Sequence, residues 1–396
     1  MRRQPPVHSP ITAAGLREAA VRGFGLKPDP RGDLTDFLNR EYRADRALLF
    51  GSGTQALQAA MLLAMRRLGD SSVALPAFTC FDVAAAAVGA RALIRFYDVN
   101  PETLSPDLES LANVLARGAR IVVIAPLYGM PVDWDAVDAL LGRHDAIAVE
   151  DAAQGYQAKW RGRPVGSLAP LSVLSFGRGK GWTGGAGGAL LLRGLGAYGG
   201  LEGRISERQS VADELHVLLR LIAQWALGRP RSYALPAAIP WLELGETIYH
   251  DPTPPRLMTR TAAACLRALR AAADREASAR RANGLEIVQA IERGTQVRTI
   301  RTCVNADPGF LRLPVRLARG LAGFEDPARA VRLGVLPGYP RVLAALPQVW
   351  PLLETDGERW PGGEELARTL FTVPTHSLLT AHERNELIRL LREYRT

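Results

Sequence analysis

The sequence predicts an α/β protein, with a mainly parallel sheet covered by helices on both faces and a smaller α+β unit after it. Three observations carry that expectation. Between about residues 33 and 193, short continuous apolar runs alternate with helical stretches. Such runs read as strands buried on both faces, which is the habit of parallel sheets. Past residue 200 a proline-rich connector and one long helix precede a shorter mixed segment, and 396 residues suit one large domain with a smaller companion. The expected division is an N-terminal arm over 1–30, a large domain over 31–255 and a small C-terminal domain over 256–396.

Taken in order, "LTDFLNREY" is helical and "RALLF" (46–50) is a strand stopped at Gly51. "TQALQAAMLLAMRRLG" places Ala56, Leu57, Ala60, Met61 and Ala64 on one helical face. "SVAL", "LIRFYDV", "RIVVIAPL", "AIAVED" and "LSVLSF" are further strands, with helices near 81–89, 106–117 and 132–142 between them. "VADELHVLLRLIAQWAL" is an amphipathic helix, and "GRPRSYALPAAIPWLELGETIYHDPTPP" is an irregular connector. A long helix covers roughly 259–292. The strands "FLRLPVRL" and "LFTVPTHSLL" and the helix "TAHERNELIRLLREYR" complete the chain.

Composition narrows the function classes. The formal charge is +9, but the basic residues are interleaved with acids, and neither a basic block nor a zinc-finger spacing occurs. The reading is therefore a solvated arginine-rich surface and no nucleic-acid partner. Cys80, Cys265 and Cys303 are too few and too scattered for a disulfide framework or a metal cluster. The N-terminal stretch lacks an apolar h-region and no run approaches a membrane span, so no membrane contact is expected and the expected location is cytoplasmic.

Ligands of such sheets gather at the carboxyl ends of the strands. That rule selects 51–54, 76–81, 150–154 and 175–180. In "FGSGTQAL" a strand runs through Gly-Ser-Gly-Thr into a helix, so free amides and the Ser52 and Thr54 hydroxyls can either cradle a phosphate or simply cap the helix. "AIAVEDAAQGY" closes a buried strand with two acids and brings no second ligand cluster, which argues against a metal.

"SFGRGKGWTGGAGGALLL" holds Lys180, one of only three lysines beside 46 arginines. It fits neither nucleotide loop. Leu174 stands where a Walker A glycine belongs, Gly181 replaces the Ser or Thr, and a strand rather than a helix follows. What a lysine offers that arginine cannot is a primary amine able to lose its proton and form a Schiff base with a carbonyl. An amine, a buried acid and a phosphate cradle together meet the needs of pyridoxal 5′-phosphate (PLP).

"FGSGTQAL", "LPAFTCFDVAAAAVGARALIRFYDVNPETLSPD", "VIAPLYGMPVDWDAV", "VEDAAQGYQAKWRGRPVGSLAPLSVLSFGRGKGWTGGAGGALLL" and "WPGGEELARTLFTVPTHSLLTAHERNEL" occur in that order. Over roughly 33–395 the chain resembles the DegT–DnrJ–StrS family of sugar aminotransferases, fold-type I PLP enzymes. The resemblance implies a seven-stranded, mainly parallel sheet sandwiched by helices, and a homodimer. It implies PLP bound covalently by Lys180, which then shuttles protons, and Asp151 paired with the pyridine nitrogen. Gln154 would lie near the ring's phenolic oxygen, Phe78 and Cys80 beside the ring, and Gly53, Thr54, the Gln55 amide and Ser175 around the phosphate. The implied reaction moves an amino group, from glutamate, to a keto-sugar carried on a nucleotide, in polysaccharide or antibiotic biosynthesis.

Three positions depart from the family pattern. Cys80 stands where the family has an aromatic, Ala186 where it has an acid, and no Asn-Tyr-Arg-Met element is recognisable in "TPPRLMTRTAAACL". Two other readings therefore stay open: a PLP lyase or dehydratase, and a non-catalytic member on the same scaffold. His376 is read as structural and Trp182 as packing or pocket lining.

Overall fold

The computed structural model describes residues 2–69, 71–194, 205, 206, 209–234, 247–292, 295–354 and 358–395. Its strands are β1 (Arg46–Phe50), β2 (Val73–Pro76), β3 (Ile94–Tyr97), β4 (Ile121–Ile124), β5 (Ile147–Asp151), β6 (Lys159–Trp160), β7 (Arg163–Pro164), β8 (Leu171–Ser175) and β9 (Gly188–Leu192). Five more follow: β10 (Arg298–Thr299), β11 (Ala306–Asp307), β12 (Leu313–Arg316), β13 (Leu336–Pro337) and β14 (Leu370–Val373). The α-helices of the first half are α1 (Ala13–Gly23), α2 (Arg31–Tyr42), α3 (Gly53–Leu68), α4 (Phe81–Ala90), α5 (Leu108–Ala116) and α6 (Trp134–Arg143). Those of the second are α7 (Val211–Leu227), α8 (Arg260–Ile291), α9 (Pro327–Arg332), α10 (Pro361–Thr369) and α11 (Ala381–Arg392).

The large sheet has seven strands in the order β1-β9-β8-β5-β4-β2-β3. β9 is antiparallel to both of its neighbours, and the pairs β8–β5, β5–β4, β4–β2 and β2–β3 are parallel. The expected mainly parallel sheet is thus present, and β1 runs in the same sense as β8. Side-chain alternation splits each buried strand between two cores. Val122 and Ile124 of β4 join the cluster with α5 and α6, whereas Ile121 and Val123 join the cluster with α3 and α4. Each Val, Ile or Leu buried this way contributes about 1.5–3 kcal/mol.

Local signals set the ends of the elements. Ser52 is the N-cap of α3, and Asp107 and Asp133 cap α5 and α6 by accepting from the amides of Ser110 and of Asp135 and Ala136. Those caps explain why α5 and α6 each begin two residues later than periodicity suggests. The "LIRFYDV" strand begins at Ile94 because Leu93 is 43% exposed and outside the pleat. Within the proline-rich connector, 235–246 lie outside the described residues.

A four-stranded antiparallel sheet, β10-β12-β14-β13, carries the second unit. α8 ties it to the first: Ala262, Leu266, Leu269 and Ala273 pack in the α5–α6 core, while Ile287 and Ile291 pack with the small sheet. The N-terminal arm carries a helix of its own. Its α1 lies on α8, where a Cβ on Gly15 would meet Leu269 at 2.5 Å and one on Gly23 would meet Thr261 Oγ1 at 2.0 Å. Two glycines thus let the helices approach closely, an argument no periodicity count makes.

Glu150 and Arg193 brace the sheet beneath the strand ends. The fully buried Glu150 carboxylate accepts from the amides of Gly166 (2.8 Å) and Leu168 (3.0 Å) and from Ser172 Oγ (2.8 Å). Arg193 donates to Ala169 O, Ser172 Oγ, Tyr42 O and Gly166 O at 2.7–3.0 Å. Burial raises the Glu150 carboxyl above its ordinary range, and these donors and the Arg193 charge pull it back. Glu150→Ala leaves three buried donors and a buried cation unmatched, so it is expected to cost about 3 kcal/mol in urea unfolding. A loss within about 0.5 kcal/mol, the range of ordinary surface substitutions, would contradict that role.

Candidate active site

Alternation at the end of β5 separates the two acids. Glu150 faces the brace just described, whereas the next residue, Asp151, faces the side of the sheet shared with α3 and α4. Asp151 is half-buried and accepts from the Ala153 amide at 3.2 Å. Burial pushes its carboxyl up, and the Lys180 charge is the strongest influence in the other direction. The Cys80 thiol, at the N-cap of α4, is pushed up to about 12 by burial, with Lys180 and Asp151 both close enough to act on it. Asp151, Lys180 and Cys80 therefore share one neighbourhood, and Cys80 stays a neutral thiol.

The β1–α3 turn builds the second feature. Ser52, in extended backbone, accepts the Gln55 amide on its Oγ at 3.1 Å and bridges in parallel to Gly187, which turns the Gly53 amide to the Gly187 carbonyl, while the Thr54 amide has no partner among the described residues. A Cβ on Gly53 would lie 2.6 Å from Ser175 Oγ, and one on Gly188 would lie 2.4 Å from Ser52 O. The absence of both side chains lets the helix start settle against the β8–β9 ends, with the Ser175 hydroxyl beside it. Such a pocket is suited to an oxyanion. The Gln55 amide is taken by the cap, and its side chain reaches Thr253 Oγ1 (2.9 Å) and the Arg256 amide (3.2 Å), pinning the connector instead.

The third feature comes from both units. Gln154 Oε1 accepts the Tyr128 amide at 2.8 Å, and its Nε2 donates to the Tyr339 hydroxyl at 2.6 Å. Tyr128 has φ +56°, a left-handed conformation that costs a bulky residue about 1–2 kcal/mol and is held at both ends, the Leu311 amide donating to its carbonyl. Tyr339 stacks on Tyr128 at 5.9 Å between ring centres and meets Phe78 edge-on at 5.6 Å. The Tyr339 phenol is raised by burial and feels Cys80 and Asp151, so it belongs to the same neighbourhood. Phe78 is fully buried behind Tyr339 in the small-sheet core, one layer back from the open space.

Sequence reasoning thus selects Gly53, Thr54, Cys80, Asp151, Gln154, Ser175 and Lys180, which converge, and Phe78 and Gln55, which stand behind the first contacts. It misses Tyr128 and Tyr339, which Gln154 joins to this neighbourhood. It also misses Ser9, whose hydroxyl donates to the Lys180 carbonyl at 2.9 Å. Trp182 packs in the core on Phe37, Phe176 and Tyr156, its Nε1 donating to Leu266 O. Among the described residues no group of three or more His, Cys, Asp or Glu can hold a metal, and no helix is long and apolar enough to cross a membrane.

Residues 34–194 match the model of the DegT/DnrJ/EryC1/StrS aminotransferase family, which bears out the resemblance carried by the motifs. A 142-residue stretch, 36% of this chain, is 34% identical to the L-glutamine:2-deoxy-scyllo-inosose aminotransferase of Streptomyces lividus and spans 33% of that protein. The chain thus matches about a third of the length of this curated relative. In structure it is similar to the sugar aminotransferase CalS13 of Micromonospora echinospora, with a TM-score of 0.74, 19% identity and coverage of 98% and 99% of the two chains. It is likewise similar to DesV of S. venezuelae, solved with a ketimine intermediate, with a TM-score of 0.71, 23% identity and coverage of 96% and 94%. These likenesses establish the fold.

His376 illustrates how closely the site is supported. It is fully buried, and its Nε2 donates to the Pro5 carbonyl at 2.9 Å. Burial pushes its ring down from 6.5 to about 3. A depressed value means that the stability tied to the neutral ring is present above pH 6.5 and is lost as pH falls towards 3. The expected slope is about 1.4 kcal/mol per pH unit across that window, read from denaturant melts, and His376→Gln is expected to flatten it. An unchanged slope in the variant would refute this assignment.

Proposed function

We propose that this chain, a match to the DegT/DnrJ/EryC1/StrS aminotransferase family over residues 34–194, is a PLP-dependent aminotransferase acting on a cyclic polyhydroxylated ketone. The observation that carries the reading is the convergence of Lys180, Asp151 and the Ser52–Thr54/Ser175 pocket at one sheet edge. The residues present fit the cofactor: the open Thr54 amide and the Ser175 hydroxyl at a helix start for its phosphate, a carboxylate for its ring nitrogen, and an amine with no hydrogen-bond partner among the described residues for its aldehyde. When bound, PLP supplies an aldehyde that captures amines and a pyridinium ring that serves as an electron sink.

The chain's own groups do the rest. Asp151 is helped by a cation to stay ionised at its half-buried position, and a protonated ring nitrogen is such a cation, so carboxylate and pyridinium would favour each other's charged state. The Lys180 ε-amine can take a proton from a substrate carbon in its neutral form and return it as the ammonium, which a guanidinium cannot do. Gln154 Nε2 has one N–H on Tyr339 and a second free for the ring oxygen. Cys80 and Tyr339 bound the ring space where an aromatic at position 80 is lacking.

The finer reading is a keto-sugar acceptor, carried on a nucleotide or free, an amino-acid donor such as glutamate or glutamine, and a homodimer in the cytoplasm. The name of the Streptomyces lividus relative, with glutamine and an inosose, supports the donor and acceptor classes. The test is a two-step titration of the PLP-bound protein. L-Glutamine or L-glutamate is expected to bleach the visible absorbance, and a keto-sugar to restore it. Lys180→Arg should slow the bleaching by about 10²–10⁴-fold. Absence of bleaching with every amino donor would favour a lyase or dehydratase and overturn the aminotransferase reading.

A further inference from the structure

Arg280 of α8 is sealed from solvent, yet its Nε, Nη1 and Nη2 have no hydrogen-bond partner among the described residues. Nor does it form an ion pair there. Glu276, one turn earlier, accepts the Ser377 amide on one oxygen and the Ser377 hydroxyl on the other. A guanidinium stays protonated and carries five donors, so burying all of them unmatched costs several kcal/mol. The half-buried Arg193, by contrast, places both of its Nη atoms on four acceptors, and Arg280 alone among the described arginines leaves all three nitrogens buried and unmatched. An orphan of this kind calls for an anion that arrives from outside.

Its position says which anion. A Cβ on Gly181, the residue after Lys180, would lie 2.8 Å from Arg280 Nη2 and 3.1 Å from Tyr156 Cβ. Only a glycine lets the guanidinium lie against the Lys180–Gly181 turn. Glu276 is the one carboxylate that acts on Arg280, and both of its oxygens are engaged by Ser377. His8 feels Glu276 but also Arg280 and Arg229, and His376 feels His8, Arg280 and Arg312. The N-terminal arm roofs this region through Ser9 on the Lys180 carbonyl and the His8–His376 edge contact at 6.4 Å.

Resting on the aminotransferase reading above, we propose that Arg280 anchors a subsite beside Lys180 for the carboxylate of the amino donor. An α-amino acid that yields its α-proton to Lys180 carries its carboxylate one bond from the reacting carbon, so an anion receptor next to that lysine is what such a donor requires. A planar carboxylate matches the two-pronged guanidinium face. The phosphate of the cofactor has its own pocket at Ser52–Thr54 and Ser175.

The test uses the PLP-loaded protein, wild type, Arg280→Met and Arg280→Lys. Glutarate binding is followed by calorimetry and L-glutamine binding by absorbance, with inorganic phosphate as competitor. Arg280→Met is expected to weaken glutarate and L-glutamine at least tenfold without lowering the melting temperature, because it removes an unmatched buried charge. Arg280→Lys should recover part of the affinity. Gly181→Ala, which fills the space beside Nη2 but keeps the cation, should weaken both ligands as well and serves if Arg280→Met does not fold. Unchanged glutarate and L-glutamine binding in Arg280→Met, or displacement of glutarate by phosphate at equal concentration, would overturn the proposal. Should the protein bind glutarate through Arg280 yet transfer no amino group, the aminotransferase reading fails while the carboxylate subsite stands.

Discussion

The site depends on the two-residue period of β5 at its carboxyl end. Two adjacent acids emerge there on opposite sides of the sheet, and their neighbours give them opposite tasks. Glu150 meets three donors and the Arg193 charge and becomes part of the frame. Asp151 meets one amide and Lys180, which leaves it open to a further cation. A shift of one residue in the register of β5 would exchange these roles and disable both. The parallel pairing of β5 with β4 and β8, deep in the sheet, is what fixes that register.

Close approach of backbone to backbone is the second dependency. The anion pocket exists because Gly53 and Gly188 present no Cβ to Ser175 and Ser52. Lys180 and Ser175 belong to the same strand-to-turn segment, so the pocket hydroxyl and the amine proposed to be reactive are positioned by one stretch of backbone. The small unit then closes the space from the far side, Tyr339 reaching Gln154 across 185 residues of sequence. The strained Tyr128 between them shows how tightly that contact is held.

The large sheet was legible because its strands are buried on both faces and stand out as apolar runs. "RALLF" (46–50), "VADELHVLLRLIAQWAL" (211–227) and the long helix of 259–292 appear in the structure within a residue of their expected bounds. The strand-end residues were legible for the same reason: a parallel sheet sends its ligand contacts to known places. The contributions of Tyr339, Ser9 and Arg280 were not. Each reaches the site through tertiary packing over 100 residues or more, and nothing local marks a tyrosine in "LPGYP" or one arginine among 46. Phe78 shows the converse, since its nearness to the motif is real in sequence but its ring turns into the small-sheet core. The short sheet β11-β6-β7 has only two-residue strands, below what periodicity can detect.

The central claim is that Lys180 is the residue that captures the cofactor's aldehyde. The most direct measurement is borohydride reduction of the PLP-incubated protein followed by peptide mass spectrometry. The account predicts a single phosphopyridoxyl modification on the peptide containing Lys180 and none on Lys27 or Lys159. Modification spread over the other lysines, or a Lys180 peptide left unmodified, would contradict it.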